Sequence, residues 1–292
     1  MSTWRVAALA IALVFAGCSR NKGPWVERLE VDAFEGGDVI SLSQAELRAM
    51  LVSRLEGAKF RIASESQKPP EGLKPWRLDF AAGLSEPDLE TGQSQVAVAL
   101  DVRHPGEADA IALTERKQVK ADGKDVETMQ SGIRAALEDC MGKAVREAAA
   151  LIALDEASAD TLWDKRRDGD AAVRDAALRL LVRAKDPRVA DELIARLKTD
   201  DFEELHAVMA LLVELKAPST VNPLIEAARQ RGPVFTREVV FAVATIGGPD
   251  AEAYLDFVAS GHDDELVRQS AAQALKELRS RKPQPPPEGT TP

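Results

Sequence analysis

The sequence predicts an α+β chain in which a small α/β sandwich domain precedes an all-α domain. Apolar and polar residues alternate along several segments of the first half, whereas apolar residues recur at helical spacing throughout the second half. The chain has 292 residues, 45% of them apolar, 29% charged and 4% aromatic, with a single Tyr. This composition is globular, and the scarcity of aromatic residues disfavours an all-β sandwich.

The first eighteen residues have the design of an export signal. Arg5 precedes an apolar run over residues 6–15, and the small residues Ala16 and Gly17 then lead to Cys18. A membrane-spanning helix needs about 20 apolar residues, so this run is too short to cross a membrane. The pattern predicts a signal peptide.

The sequence Phe15-Ala16-Gly17-Cys18 resembles the lipobox of bacterial lipoproteins, with Phe15 in place of the usual Leu. The resemblance implies that residues 1–17 are removed and that Cys18 carries acyl chains such as palmitate, with residues 18–24 as a tether. An ordinary signal peptide with an incidental Cys is the alternative. Ser19, where retained lipoproteins carry Asp, implies an outer-membrane location facing the periplasm.

Residues 25–154 predict an α/β sandwich module. Its predicted elements, in order, are a strand over 25–34, a helix after the capping box Ser43 to Glu46, a strand at Phe60 and Ile62, strands at 76–80, 96–102 and 111–119, and a long helix from 125 to 154. Two helices covering one face of a mostly antiparallel sheet would bury these patterns. In outline this arrangement is similar to the amino-terminal module of the TolB family and to lipopolysaccharide-assembly lipoproteins.

Residues 155–281 repeat with a period of 31. Pro187, Pro218 and Pro249 are spaced by 31 residues, and each is followed six residues later by Leu. Because Pro suits the first turn of a helix, each Pro is predicted to open a short helix. Stepping back one more period reaches Leu162, and the four leucines are predicted to be buried: Leu162, Leu193, Leu224 and Leu255.

A second signature lies between the prolines. The segments Asp170 to Arg174 and Asp264 to Arg268 both read Asp-x-x-Val-Arg, 94 residues apart, and looser copies hold His206 and Arg237 at the Arg position. This pattern resembles the HEAT-like repeats of the phycobilisome-lyase type. The resemblance implies an α-solenoid, in which the Asp caps a helix and the Arg reaches across repeats.

Candidate catalytic or metal-binding residues are few. None of the three His has a second His or a Cys at ligand spacing, so no metal, cofactor or enzymatic activity is expected. Cys140 falls on an apolar helical stripe and is interpreted as a buried thiol, with a reactive or intermolecular Cys as the alternative. The acids after His262 are interpreted as helix caps rather than as a loose cation site.

Two functions fit these patterns. The first is a membrane-anchored, non-catalytic scaffold of the bacterial cell envelope, whose repeats bind another envelope protein. The alternative is a transport- or assembly-accessory lipoprotein, whose α/β module binds lipid, glycan or peptide in an apolar pocket near Trp25, Trp76 or Phe80. The net charge of −10 argues against a nucleic-acid partner. The Pro-rich residues 282–292 predict a disordered tail.

Overall fold

A computed structural model describes residues 23–36, 40, 42–64, 67–87, 92–104, 107, 109–120 and 125–281. The lipobox, the lipidation site Cys18, Ser19 and the Pro-rich tail lie outside these residues. Within the described ranges, no helix is both long enough and apolar enough to cross a membrane.

A five-stranded mixed sheet occupies the first part of the chain. Its strands are β1 (Trp25–Val31), β2 (Arg61–Ile62), β3 (Pro75–Leu84), β4 (Gln93–Arg103) and β5 (Ile111–Lys120), in the order β2-β1-β3-β4-β5. β1 runs parallel to both β2 and β3, whereas β3, β4 and β5 are antiparallel. Most of the paired residues belong to the antiparallel pairings, as predicted, whereas β1 is parallel to both of its neighbours because the helix after β1 returns the chain to the starting end of β1.

Two helices, α1 (Gln44–Gly57) and α2 (Val126–Leu154), cover one face of this sheet. α1 contacts β1 and β2, α2 contacts β4 and β5, and the two helices touch each other. The predicted alternation is confirmed, since every second residue of β3 and β4 is buried beneath the helices. The capping box of α1 is also present, with the Ser43 side chain accepting from the Glu46 backbone and the Glu46 carboxylate accepting from the Ser43 backbone.

Eight further helices follow α2 and form four successive pairs, each made of an odd-numbered helix and the even-numbered helix after it. They are α3 (Ala159–Lys165), α4 (Ala171–Arg183), α5 (Val189–Arg196), α6 (Phe202–Leu215), α7 (Val221–Arg229), α8 (Pro233–Ile246), α9 (Pro249–Gly261) and α10 (Glu265–Arg281). The four leucines spaced by 31 residues lie one in each odd-numbered helix, and all are buried as predicted. Each odd-numbered helix packs against the even-numbered helix that follows it.

The even-numbered helices form a row. α2 contacts α4, and the contacts continue from α4 to α6, from α6 to α8 and from α8 to α10. α2 therefore packs on the sheet with one side and on α4 with another, so the same helix belongs to the sheet layer and to the helical row.

The prolines open helices less regularly than their spacing predicts. Pro249 is the first residue of α9, and Pro218 opens a 3₁₀ turn directly before α7. Pro187 instead precedes α5 by two residues, and α5 begins after Arg188, so the prediction for Pro187 is wrong. Pro233, outside the 31-residue series, opens α8. Pro is tolerated in the loop before a helix as well as in its first turn, so spacing alone does not separate the two positions.

The Asp and Arg of the signature have different roles. Asp170 and Asp264 cap α4 and α10, accepting from the backbones of Ala172 and Val267, as the resemblance implies. Arg174 and Arg268, however, donate to carbonyl oxygens of the loops just before their own helices, at residues 168–169 and 262–263. The expectation that they reach across repeats is therefore wrong.

Other arginines make the connections between helix pairs. Arg231 donates to the carbonyl oxygen of Thr199 at 2.8 Å and to that of Leu197 at 3.4 Å. Arg196 donates to the carbonyl oxygen of Arg166 at 3.2 Å. Each bond links the end of one odd-numbered helix to the end of the previous one.

Candidate protein-interaction surface

The even-numbered helices α4, α6 and α8 share one uncovered face. Along these helices, three positions at intervals of one helical turn are exposed or half-buried, and the corresponding positions of successive helices are 31 residues apart. We call this set the inner face. It comprises Asp175, Arg179 and Arg183 of α4, His206, Ala210 and Glu214 of α6, and Arg237, Phe241 and Thr245 of α8. α10 begins 32 rather than 31 residues after α8, so its residues fall outside this register.

Burial of the remaining positions leaves this face free. In α8, Val239, Val240, Ala242 and Val243 are all buried, whereas Phe241 between them keeps 46% of its surface exposed. A helix packed between two neighbours and an outer partner loses three of its sides to contacts. The fourth side, at positions i, i+4 and i+8, stays open.

At the α4 end, an ion-pair cluster joins the inner face to α2. Nε of Arg179 donates to Oε1 of Glu147 in α2 at 2.9 Å, and its Nη1 lies 3.8 Å from Oε2 of Glu214 in α6. The Glu147 and Arg179 side chains keep only 7% and 14% of their surfaces. Desolvation is the main cause that raises the pKa of Asp175 to about 6, and the negative charge of Glu147 is the second cause. Because Asp175 is exposed to solvent, this shift contributes little to the free energy of unfolding.

In the middle of the face, a histidine joins α6 to α8. Nε2 of His206 lies 2.6 Å from Oε2 of Glu238, and this hydrogen bond raises the pKa of His206 against the opposing effects of desolvation and of Arg116 in β5. The Phe202 and Phe235 rings lie with their centroids 6.0 and 6.3 Å from that of His206. The pair therefore holds two neighbouring helices together at the surface.

At α8 the face is apolar and cationic. Phe241 occupies the middle position of α8, and the corresponding residue of α6 is the exposed Ala210. Arg237 is exposed and makes no hydrogen bond or ion pair with any residue that the structure describes.

The last helix ends the row with a polar side. α10 begins 32 residues after α8, and the buried α8 residues Phe235, Val239, Ala242 and Ile246 correspond to Val267, Ala271, Ala274 and Leu278 of α10, which are buried as well. The buried α8 residues Thr236, Val240 and Ala244 instead correspond to Arg268, Ala272 and Lys276, none of which is buried. Polar residues at the end of a helical array keep the terminal surface soluble, so α10 has the character of a terminal cap.

The three aromatic side chains of the alternative prediction lie in the interior of the sheet module. Trp25, Trp76 and Phe80 are all buried, keeping 4%, 5% and 1% of their surfaces. The Trp76 ring stacks on His104 with their centroids 3.8 Å apart, and Nε2 of His104 lies 3.4 Å from Oδ2 of Asp155. These aromatic side chains therefore belong to the core and its edge.

Two open grooves flank β1 instead. The first has a volume of about 520 Å³ and runs between β1 and α1, and the second, of about 570 Å³, runs between β1 and residues 62–69. Arg48 donates to the carbonyl oxygen of Leu29 at 2.8 Å, and Gln44 donates to that of Val31 at 2.5 Å. Side chains of α1 thus donate hydrogen bonds to the backbone carbonyl groups of β1 that face the first groove.

The remaining candidate residues have structural roles. Cys140 keeps 1% of its surface, and burial raises the pKa of its thiol to about 11, which favours the interpretation as an inert core residue. Asp264 caps α10, as interpreted. Among the described residues, no group of three or more His, Cys, Asp or Glu could hold a metal ion.

The inner face was not recognised from the sequence, although the signature placed two of its residues, His206 and Arg237, at corresponding positions. The 31-residue period marks equivalent positions such as 179, 210 and 241, but only the packing of the helices shows that they stay uncovered.

Comparisons with known proteins do not assign the chain to a family. No protein-family model matches it, and no curated protein matches it. Three solved structures are similar in part: an uncharacterized protein (16% identity, 44% of this chain and 90% of that chain, TM-score 0.28), PelC from Paraburkholderia phytofirmans, solved as a dodecamer (14%, 41% and 92%, TM-score 0.22), and a neuraminyllactose-binding hemagglutinin homolog from Helicobacter pylori (17%, 49% and 88%, TM-score 0.24). At these TM-scores the likenesses carry no argument about function.

Proposed function

We propose that this protein is a lipid-anchored, non-catalytic lipoprotein of the bacterial cell envelope, and that helices α3–α10 form a HEAT-like solenoid whose inner face binds another envelope protein. The observation that carries the proposal is the inner face itself. One set of positions, repeated every 31 residues across α4, α6 and α8, stays exposed or half-buried, and the residues on both sides of Phe241 in α8 are buried. A surface repeated along an array offers a partner many similar contacts, as in other helical repeats.

The two ends of the row are those of a capped array, which supports the proposed solenoid. α2 and the sheet cover the first side of α4, and α10 ends the row with polar residues. A capped array presents its sides rather than its ends to partners. The partner is therefore expected on the inner face.

The anchor rests on the resemblance of Phe15-Ala16-Gly17-Cys18 to the lipobox. Two or three acyl chains give stable attachment, because each buried methylene contributes about 0.8 kcal/mol. We expect Cys18→Ala to release the protein from membranes into the soluble fraction, as followed by fractionation and by mass spectrometry of the amino terminus. Membrane association that persists in this variant would contradict the anchor but not the scaffold.

The scaffold proposal is tested by adding bulk to the inner face while the helices stay folded. The variant Ala210→Gln adds neutral bulk to the exposed middle position of α6 on the inner face and keeps a good helix former there. The matched control, Ala195→Gln, makes the same change at an exposed position of the outer helix α5.

Affinity capture from crosslinked membranes compares these two full-length variants with the unaltered protein. We expect the control to retain its partner and the inner-face variant to lose it. If both variants capture the same partner equally, the inner face is not the working surface.

The alternative is that the sheet module binds lipid, glycan or peptide and the helices only support it. The grooves beside β1 are the feature that favours it. It predicts that Arg48→Ala, at the boundary of both grooves, reduces binding while the inner-face variant does not.

A further inference from the structure

We infer that the α8 part of the inner face binds the chain's own Pro-rich tail, residues 282–292. Prolines of this tail pack on the ring of Phe241, and the carboxylate of Glu288 pairs with Arg237. The contact goes beyond the proposed function, because it forms within one chain and needs no partner. Its consequence for a partner rests on that function, since the tail and the partner would compete for the same surface.

The end of α10 lies next to the line that continues the inner face. α8 and α10 are in contact, and α10 begins 32 residues after α8, so Gln273 takes the turn position of Phe241. Glu277 and Arg281 follow Gln273 at intervals of one turn, and Nη2 of Arg281 lies 3.9 Å from Oε2 of Glu277. The tail therefore leaves α10 beside the α8 part of the face.

The tail is long enough to reach both residues. From the level of Arg281, Phe241 lies about 12 Å back along the helices and one helix spacing of about 10 Å to the side, which places it about 16 Å away. Arg237 is one turn further, about 20 Å from Arg281. Because a Pro-rich chain advances about 3.1 Å per residue, Pro286 reaches about 16 Å and Glu288 about 22 Å. The two spacings match.

The surface at Phe241 suits a Pro-rich segment. The side chain keeps 46% of its surface exposed, and the corresponding residue of α6 is the small, exposed Ala210. Residues 283–287 of the tail contain four prolines. Such segments bind exposed aromatic rings, because their extended conformation is already formed and loses little entropy on binding.

Arg237 supplies the charge that Glu288 lacks. It precedes Phe241 by one turn, is exposed, and makes no hydrogen bond or ion pair with any residue that the structure describes. Glu288 directly follows the prolines, so a tail that packs them on Phe241 brings its carboxylate to Arg237. An Arg side chain can bind a carboxylate through two hydrogen bonds. The order of groups along the tail therefore matches their order along α8.

Phe257 on the outer helix α9 provides a matched control. It keeps 73% of its surface exposed, and Oδ1 of the adjacent Asp256 lies 3.4 Å from Nη2 of Arg279, close to the end of α10. A tail that only samples nearby apolar surface would therefore meet Phe257 first. Because the charge next to Phe257 is negative and repels Glu288, the inference predicts the opposite preference.

The experiment places the photo-crosslinking residue p-benzoyl-phenylalanine at position 241 or at position 257 of the purified full-length protein. Equal amounts of isotopically light and heavy chains are mixed, so that mass spectrometry separates crosslinks within a chain from those between chains. We expect position 241 to crosslink to residues 282–292 of the same chain, with a yield at least about tenfold above that from position 257. Equal yields from the two positions, no tail peptide at position 241, or crosslinks between chains would each overturn the inference.

A charge swap tests the ion pair. We expect Arg237→Glu to reduce the yield of the position-241 crosslink about two- to fivefold, as suits the loss of an exposed pair, and the further change Glu288→Arg to restore it. The matched control Arg229→Glu, at an exposed position of the outer helix α7, should leave the yield unchanged. A yield that Arg237→Glu does not lower, or that the swap does not restore, would contradict the inference.

The outcomes separate this inference from the proposed function. The crosslink within the chain needs no partner, so its absence leaves the scaffold intact, and a failed capture experiment leaves the crosslink in place. If both hold, a chain that ends at Lys282 should capture the partner about two- to fivefold more strongly, because an intramolecular competitor has been removed. Unchanged capture by this shortened chain would contradict the competition between the tail and the partner.

Discussion

The sheet module and the row of helices bury their cores in different ways. In the sheet, β1 lies between β2 and β3, whose residues are separated from it by about 35 and 50 positions in sequence. In the row, each helix packs mainly on the next pair, so contacts recur at intervals of about 31 residues or fewer. The comparison teaches that the row depends on nearest-neighbour packing, whereas the β2-β1-β3 part of the sheet requires segments far apart in sequence to meet.

The largest expected effect comes from placing a charge in the core of either region. Leu224 in α7 and Leu100 in β4 are both fully buried. Replacing either by Asp should lower the free energy of unfolding by more than about 3 kcal/mol, since Leu→Ala alone lowers it by about 2–5 kcal/mol. By hydrogen exchange with mass spectrometry, we expect Leu224→Asp to lose protection in α5–α10 while β3–β5 keep theirs. Leu100→Asp should lose protection throughout the sheet and α2. Equal loss everywhere in both variants would mean that the two regions unfold as one unit.

The ion pair between α2 and α4 joins the two regions. Glu147→Gln should destabilise the protein by about 2 kcal/mol, less than the 3–5 of a fully buried pair, because Arg179 keeps Glu214 as a partner. Urea denaturation measures the change. Glu138→Gln on the same helix breaks a more exposed pair with Arg54 and should cost less than about 1 kcal/mol. Similar losses of unfolding free energy in the two variants would mean that the Glu147–Arg179 pair stabilises the protein no more than an exposed ion pair does.

Replacing Arg231 tests how strongly its hydrogen bonds couple neighbouring helix pairs. Arg231→Ala removes the charge-assisted bonds to the carbonyl oxygens of Leu197 and Thr199, and should cost about 1–2 kcal/mol in thermal unfolding. Arg229→Ala, two residues away and paired only with the exposed Glu226, should be close to neutral. A neutral result for Arg231 would mean that its hydrogen bonds to Leu197 and Thr199 do not stabilise the contact between these pairs.

The smallest effect is a pH dependence of the row. Because the hydrogen bond to Glu238 raises the pKa of His206, the pair contributes stability below the unfolded-state pKa of about 6.5 and loses it as the pH rises through the folded value. The contribution should be below about 1 kcal/mol, since both side chains are a third or more exposed. His206→Gln and Glu238→Gln should each abolish this part of the difference in unfolding free energy between pH 5.5 and pH 8.5. An unchanged difference would contradict the assignment.

Much of the local structure could be predicted from the sequence. The capping box at Ser43, the alternation in β3 and β4, the stripe that buries Cys140 and the four leucines of the odd-numbered helices were all predicted. Each is a short-range pattern, because helix periodicity, strand alternation and capping depend on residues within a few positions of one another.

Long-range features could not be predicted in the same way. The interior position of β1, second in the order of five strands, and its parallel neighbours depend on which strands meet, and alternation within a strand says nothing about its partners. The signature Arg174 and Arg268 turned to their own loops, while Arg231, which no pattern marked, bridges helix pairs. A long Arg side chain can reach several acceptors, and only the packed structure decides which is near.

The sequence by itself thus determined where strands and helices form and which of their sides are apolar, because local hydrogen bonding and solvent exclusion act through near neighbours. The tertiary structure alone decided the order of the sheet, the double use of α2 and the positions of the inner face. A surface is what packing leaves uncovered, so the open stripe with Phe241 at its centre exists only once the neighbouring helices are in place.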